Sequence, residues 1–131
     1  MKSKTICIID DDPICVYGTK ILLNHNNYFG SNILVYEDGY EALVNLTALV
    51  ISGKTLPDVI LLDVMNGWEF LDEFVKLPLE IKPQIFIVSS HFELSQINKG
   101  NSYGIVSDYI SKPLLGADLA DLFESVMTVS I

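Results

Sequence analysis

"TICIIDDDPI", residues 5–14, decides how the rest of the chain is read. Thr5 to Ile9 suit the middle of a buried strand, yet they run straight into three carboxylates, Asp10, Asp11 and Asp12, and then Pro13. Neighbouring carboxylates repel one another, and each resists leaving water. A strand that ends this way needs compensating positive charge close by. Part of the cluster has a plainer use, because an aspartate ahead of proline suits the cap and first position of a helix, and Asp12–Pro13 reads so.

Outward from this stretch, four further short β-rich runs follow: "NILVY" (32–36), "DVILL" (58–62), "QIFIV" (84–88) and "DYI" (108–110). The central runs are continuously apolar rather than alternating, which suits strands covered on both faces, as in a parallel sheet. Helically spaced segments separate them. Ile14, Tyr17 and Ile21 share one face, as do Leu43, Leu46 and Val50, then Trp68, Leu71 and Val75. Leu115, Leu119, Leu122, Phe123 and Val126 form the clearest stripe. Residues 91–104 read as the weakest helix, anchored by Leu94 and Ile97 and interrupted or ended by Gly100 and Gly104. Alternating strands and helices imply right-handed crossovers and an α/β sandwich. The expectation is a flavodoxin-like (βα)5 doubly wound fold with a parallel five-stranded sheet in the order 2-1-3-4-5, filling residues 1–131 as one domain with no output domain.

Bulk properties agree. The chain has 131 residues, half of them apolar and 19% charged, enough to fold around one core. No apolar run reaches the roughly 18–20 residues of a membrane span, so a cytoplasmic protein is expected. The net charge of -9 argues against direct nucleic-acid binding. Cys7 and Cys15 read as small buried thiols rather than a disulfide framework.

In an open parallel sheet, ligands bind beyond the carboxyl ends of the strands. There the sequence places Asp10 and Asp11 after strand one, Asp63 after strand three, Ser89 after strand four, and Lys112 and Pro113 after strand five. If the strand order is 2-1-3-4-5, strands one, three, four and five are neighbours about 4.8 Å apart, and these residues converge on one rim. A hard divalent cation, magnesium or manganese in its place, relieves such a carboxylate cluster, and Lys112 adds charge from the other side. A cation, a nucleophilic carboxylate, a hydroxyl and an ammonium together suit phosphoryl transfer.

"IIDDDP", "DVILLD", "IVSS" and "DYISKP", in that order, resemble the receiver domain of the two-component response regulator family, over nearly the whole chain. The resemblance implies a stand-alone receiver, not a conventional turnover enzyme. Asp63 would be the phosphoacceptor, taking the group from a histidine kinase or histidine phosphotransfer protein. Asp11 would bind the metal directly and Asp10 largely through water, with the backbone carbonyl of Met65 completing the shell. Ser89 would hydrogen-bond the phosphoryl group and Lys112 pair with it. Pro113 would follow a cis peptide bond, and Tyr109 would be the switch aromatic. A downstream effector would read the fourth helix, fifth strand and fifth helix, with homodimerisation as a further possibility.

One departure stands out. "DVMNGWEFL" reaches Gly67 four residues after Asp63, a shorter connection than the family's. Either the loop is naturally short, which would weaken metal binding, or residues are missing from the sequence as read. The tightness of the connection favours the second. The short loop also supports a rival reading, a degenerate receiver that docks without taking phosphate. A flavodoxin would need a hydroxyl- and glycine-rich first loop, which "DDDP" is not. An aspartate-based phosphatase would use Asp10 and Asp12 but leave Asp63 and "SKP" unexplained. His25 and His91 read as surface residues, Asp108 as a solvated turn residue, and Trp68 as packed beneath the third helix near the acidic site.

Overall fold

The computed structural model describes residues 4–26 and 32–129, without the side chains of residues 65, 66 and 127–129. Strands and helices alternate: β1 (Ile6–Ile9), α1 (Pro13–Asn26), β2 (Ile33–Tyr36), α2 (Gly39–Ile51), β3 (Val59–Asp63), α3 (Val64–Phe74), β4 (Gln84–Ser89), α4 (Leu94–Ser102), β5 (Val106–Ser111) and α5 (Gly116–Val129). All pairings are parallel, and the sheet order is β2-β1-β3-β4-β5, as the sequence implied.

The continuous apolar runs are explained by two cores. Successive strand residues point to opposite faces. Ile6, Ile8, Leu61, Phe86 and Val88 therefore meet Leu23 of α1 and Leu119, Leu122 and Val126 of α5. Cys7, Ile9, Ile60, Leu62, Ile85 and Ile87 meet Ala42 and Leu46 of α2 and Phe70, Leu71 and Phe74 of α3. Each fully buried aliphatic or Phe side chain contributes roughly 1.5–3 kcal/mol. Burial pushes the Cys7 thiol up to about 12, so this cysteine is an inert core residue.

Two helices sit differently from their sequence pattern. In α1 the stripe Ile14, Tyr17 and Ile21 faces solvent, at 82%, 68% and 48% exposure. The buried side is Thr19 and Leu23, with Val16 and Leu22 packed beside them. Val16, Thr19 and Leu23 have the same i, i+3, i+7 spacing as the exposed set, so periodicity alone could not choose between two stripes of one helix. In α4, Leu94 is 73% exposed and anchors nothing. Gly100 does not interrupt this helix but is its buried residue, and Gly104, at φ 72°, lies just past its end. Leu115, read as part of the α5 stripe, is 61% exposed. It precedes the helix, its amide donating to Asp118 Oδ2 at 2.9 Å. Asp108 lies within β5 rather than in a turn.

The short connection after β3 needs no extra residues. α3 starts at Val64, directly after Asp63, so the strand passes into the helix with no loop between them. Gly67 makes this possible. A Cβ there would stand 3.0 Å from Leu62 Cγ, so glycine lets the helix start pack close against the strand.

The orientation of α1 is open to a direct test. Ile14→Lys with Tyr17→Ser should change unfolding free energy by no more than about 0.5 kcal/mol each. Leu23→Ala should cost about 2–5 kcal/mol. Urea denaturation of the three proteins checks this, and comparable losses from both sets would reverse the assigned face.

Candidate functional site

Parallel pairing brings four strand ends to one edge. Ile9 is level with Leu62, Asp63 with Val88, and Ser89 with Ser111. Asp10 follows β1 and stays attached to the sheet, its amide donating to the Tyr36 carbonyl at 3.1 Å. Lys112 follows β5, its amide donating to the Ser89 carbonyl at 2.8 Å. The Lys112–Pro113 peptide bond is cis.

The side chains close the arrangement. Asp10 and Asp63 are only 6% and 5% exposed, while Asp11 is exposed. One carboxylate oxygen from each of Asp10, Asp11 and Asp63 lies within 4.8 Å of the others. Lys112 Nζ stands 2.9 Å from Asp10 Oδ2 and 3.7 Å from Asp63 Oδ2. The other Asp10 oxygen accepts the Asp12 amide at 2.9 Å, and Asp12 accepts the Ile14 amide at 3.0 Å, capping α1 as the sequence suggested.

Magnitudes show what the lysine does. At an effective dielectric constant near 20, two charges at this separation interact by roughly 3–4 kcal/mol. Repulsion among the carboxylates is of that order per pair, and so is the attraction of Lys112 for Asp10. Burial pulls the Lys112 ammonium down, but its hydrogen bond to Asp10 and the charges of Asp10 and Asp63 outweigh this and hold it above the ordinary lysine value. Its stabilising contribution is therefore complete at neutral pH and is lost only as pH rises through that raised value. Three carboxylates and one ammonium still total −2. An all-oxygen donor set with this charge fits a hard divalent cation such as Mg2+ or Mn2+. The first-turn amides of α3 open toward the end of β3, and that helix end favours negative charge there.

Ser89 is 6% exposed and engaged by its own loop. Its hydroxyl donates to the His91 carbonyl at 2.9 Å and accepts the His91 amide at 3.2 Å. Tyr109 is half-buried against α4. Its hydroxyl lies 2.9 Å from the Ile97 carbonyl and 2.7 Å from Asn101 Oδ1, and its ring meets Phe92 edge-on at 5.7 Å. Gly100 leaves the room for it, since a Cβ there would come within 2.5 Å of the Tyr109 oxygen. Met65 falls in the first turn of α3. His25 and His91 are exposed.

Sequence reasoning missed how α4 is held. Trp68 of α3 does not simply lie beneath its own helix. It stacks on Tyr103 at 6.0 Å, with planes 5° apart, and carries Lys99 Nζ at 5.0 Å from its ring centre. The Tyr103 hydroxyl donates to Asp72 Oδ1 at 2.6 Å, and burial, then that bond and charge, push Tyr103 up to about 12. The signal was the aromatic and charged content of these helices, which a purely aliphatic count passes over.

Comparison with known proteins agrees with this geometry. The family profile of the response regulator receiver domain matches residues 6–124. No curated protein matches the chain in sequence. Among solved structures, a two-component response regulator from Cytophaga hutchinsonii is similar, at 26% identity and a TM-score of 0.83, covering 98% of this chain and 99% of that one. A two-component response regulator from Legionella pneumophila aligns at 22% identity and TM-score 0.82, over 96% and 99% of the two chains. The Vibrio cholerae chemotaxis protein CheY4 shares the fold at 19% identity and TM-score 0.77, over 95% and 99%.

Removing the lysine tests the electrostatic account. Lys112→Met should lower unfolding free energy by about 1–3 kcal/mol, because it strands the Asp10 and Asp63 charges. Adding Asp10→Asn should recover part of that loss. Denaturant titration of Lys112→Met, Asp10→Asn and the double variant measures it, and strictly additive effects would contradict the pairing.

Proposed function

This chain belongs to the response regulator receiver domain family of two-component signalling, and on that footing we propose that it accepts a phosphoryl group on Asp63 and thereby switches a protein-binding surface. Receivers of this family interact with a histidine kinase or phosphotransfer partner and are signalling domains rather than conventional enzymes. The observation that carries the proposal is Lys112 Nζ lying between Asp10 and Asp63 at the ends of β1 and β3.

In the proposed reaction an Asp63 oxygen attacks the phosphorus of a phosphohistidine. A P–O bond forms, the P–N bond breaks and the imidazole leaves. Little covalent chemistry falls to the protein, so positioning and charge neutralisation do most of the catalysis. Asp10, Asp11 and Asp63 would hold Mg2+ or Mn2+, which when bound supplies charge neutralisation at the transferring group. A carbonyl in a helical turn is already committed to the helix ladder. The Met65 carbonyl therefore joins the shell only if the first turn of α3 opens. Lys112 pairs with the transferred group, and Ser89 donates to it after releasing the His91 carbonyl. Exposed Ile14 and Tyr17, beside this rim, offer the phosphodonor an apolar surface.

Switching follows from competition for Ser89. In the structure its hydroxyl is satisfied by the β4–α4 loop. A phosphoryl oxygen that captures it favours another arrangement of that loop, and Tyr109 and α4 follow. The α4–β5–α5 face is the proposed effector surface. The second reading, a docking receiver that takes no phosphate, is favoured by one observation: β3 passes into α3 with no loop.

Incubation with acetyl phosphate and Mg2+, followed by intact-mass measurement, separates the two readings. The wild type should gain one phosphoryl group, and neither Asp63→Asn nor magnesium-depleted protein should. An unlabelled wild type with Mg2+ present supports the docking role instead.

A further inference from the structure

We propose that the cleft between the start of α2 and the outer half of α3 docks a lysine- or arginine-bearing amphipathic segment of a partner protein. The cleft has a volume of about 560 Å³. Tyr40 and Leu43 of α2 and Trp68 of α3 form its apolar wall. α2 carries that surface outward, with Tyr40 79% exposed and Val44, one turn later, 51% exposed.

The rim is acidic. Asp38, Glu69, Asp72 and Glu73 line the cleft, and no lysine or arginine is among the described lining residues. Asp38 accepts the Glu41 amide at 2.8 Å and Asp72 accepts the Tyr103 hydroxyl at 2.6 Å. Lys76, 3.3 Å from Glu73, offsets one of the four, and that pair is exposed and weak. The Trp68 ring already attracts a cation, with Lys99 Nζ 5.0 Å from its centre.

These features select one kind of occupant. Acidic phosphates of nucleic acid and anionic lipid surfaces are repelled by this rim. A second copy of a chain with net charge -9 is repelled as well. A lysine or arginine side chain fits both parts, laying its alkyl stem along Tyr40, Leu43 and Trp68 and placing its head among the carboxylates. The site is separate from the strand-end cluster, since neither Asp10, Asp11, Asp63, Ser89 nor Lys112 is among its described lining residues.

Trp68 is the only tryptophan in the sequence and stands in the cleft wall, so its emission reports occupancy. The probe is an amphipathic helical peptide of leucine and lysine only. It should change Trp68 emission saturably, with affinity falling as salt is raised. Glu69→Lys with Glu73→Lys should weaken binding about tenfold or more. Asp121→Lys with Glu124→Lys makes the same change of net charge on exposed α5 positions and should leave binding within about twofold. The proposal is overturned if the α5 variant weakens binding as much as the cleft variant, or if a leucine–glutamate peptide binds equally well. It is equally overturned if sedimentation shows a wild-type dimer that the cleft variant loses, since the occupant is then a second copy.

Discussion

A single ammonium makes the strand-end edge of this sheet tolerable. Lys112 Nζ reaches Asp10 at 2.9 Å and Asp63 at 3.7 Å, and both carboxylates are almost entirely buried. Without that charge, two apolar strands would end in unscreened mutual repulsion. The sheet order makes the contact possible, because β1 and β3 are neighbours and β5 is two strands beyond β3. The lysine's backbone is held to β4 by its bond to the Ser89 carbonyl. The fold and the site thus share one constraint. Whatever adds negative charge at Asp63 must act against the same lysine and draw on whatever cation joins it.

The direct passage from β3 into α3 ties that site to the rest of the molecule. α3 begins one residue after Asp63, and its later residues Trp68 and Asp72 hold α4 through Tyr103 and Lys99. Tyr109 meets α4 from the sheet side, in the space left by Gly100. α4 therefore rests on aromatic and polar contacts rather than on a greasy stripe. Such an element has fewer apolar contacts opposing its movement than α5, whose Leu119, Leu122 and Val126 are buried in the core.

Much of this was legible in the sequence. Continuous apolar runs ending in Asp10, Asp63, Ser89 and Lys112 pointed to a parallel sheet, and given the order 2-1-3-4-5 those residues converge, as the sheet shows. Helix orientation was less legible. α1 carries two stripes of the same spacing, and packing against the sheet and α5 selects the one that includes Leu23. Gly100 read as a helix breaker because composition registers its low helix propensity and not the tyrosine ring it accommodates. The connection after Asp63 looked too short for a loop, and the chain resolves this by having none.

The central claim is that Asp10, Asp11 and Asp63 act as one charge cluster that a divalent ion completes opposite Lys112. Anomalous diffraction from a crystal grown with Mn2+ tests it most directly. The account predicts a manganese peak bound by the carboxylates of Asp11 and Asp63, close to Asp10, with Lys112 on the opposite side. Manganese that left these three carboxylates empty while occupying acidic residues elsewhere on the chain would contradict it.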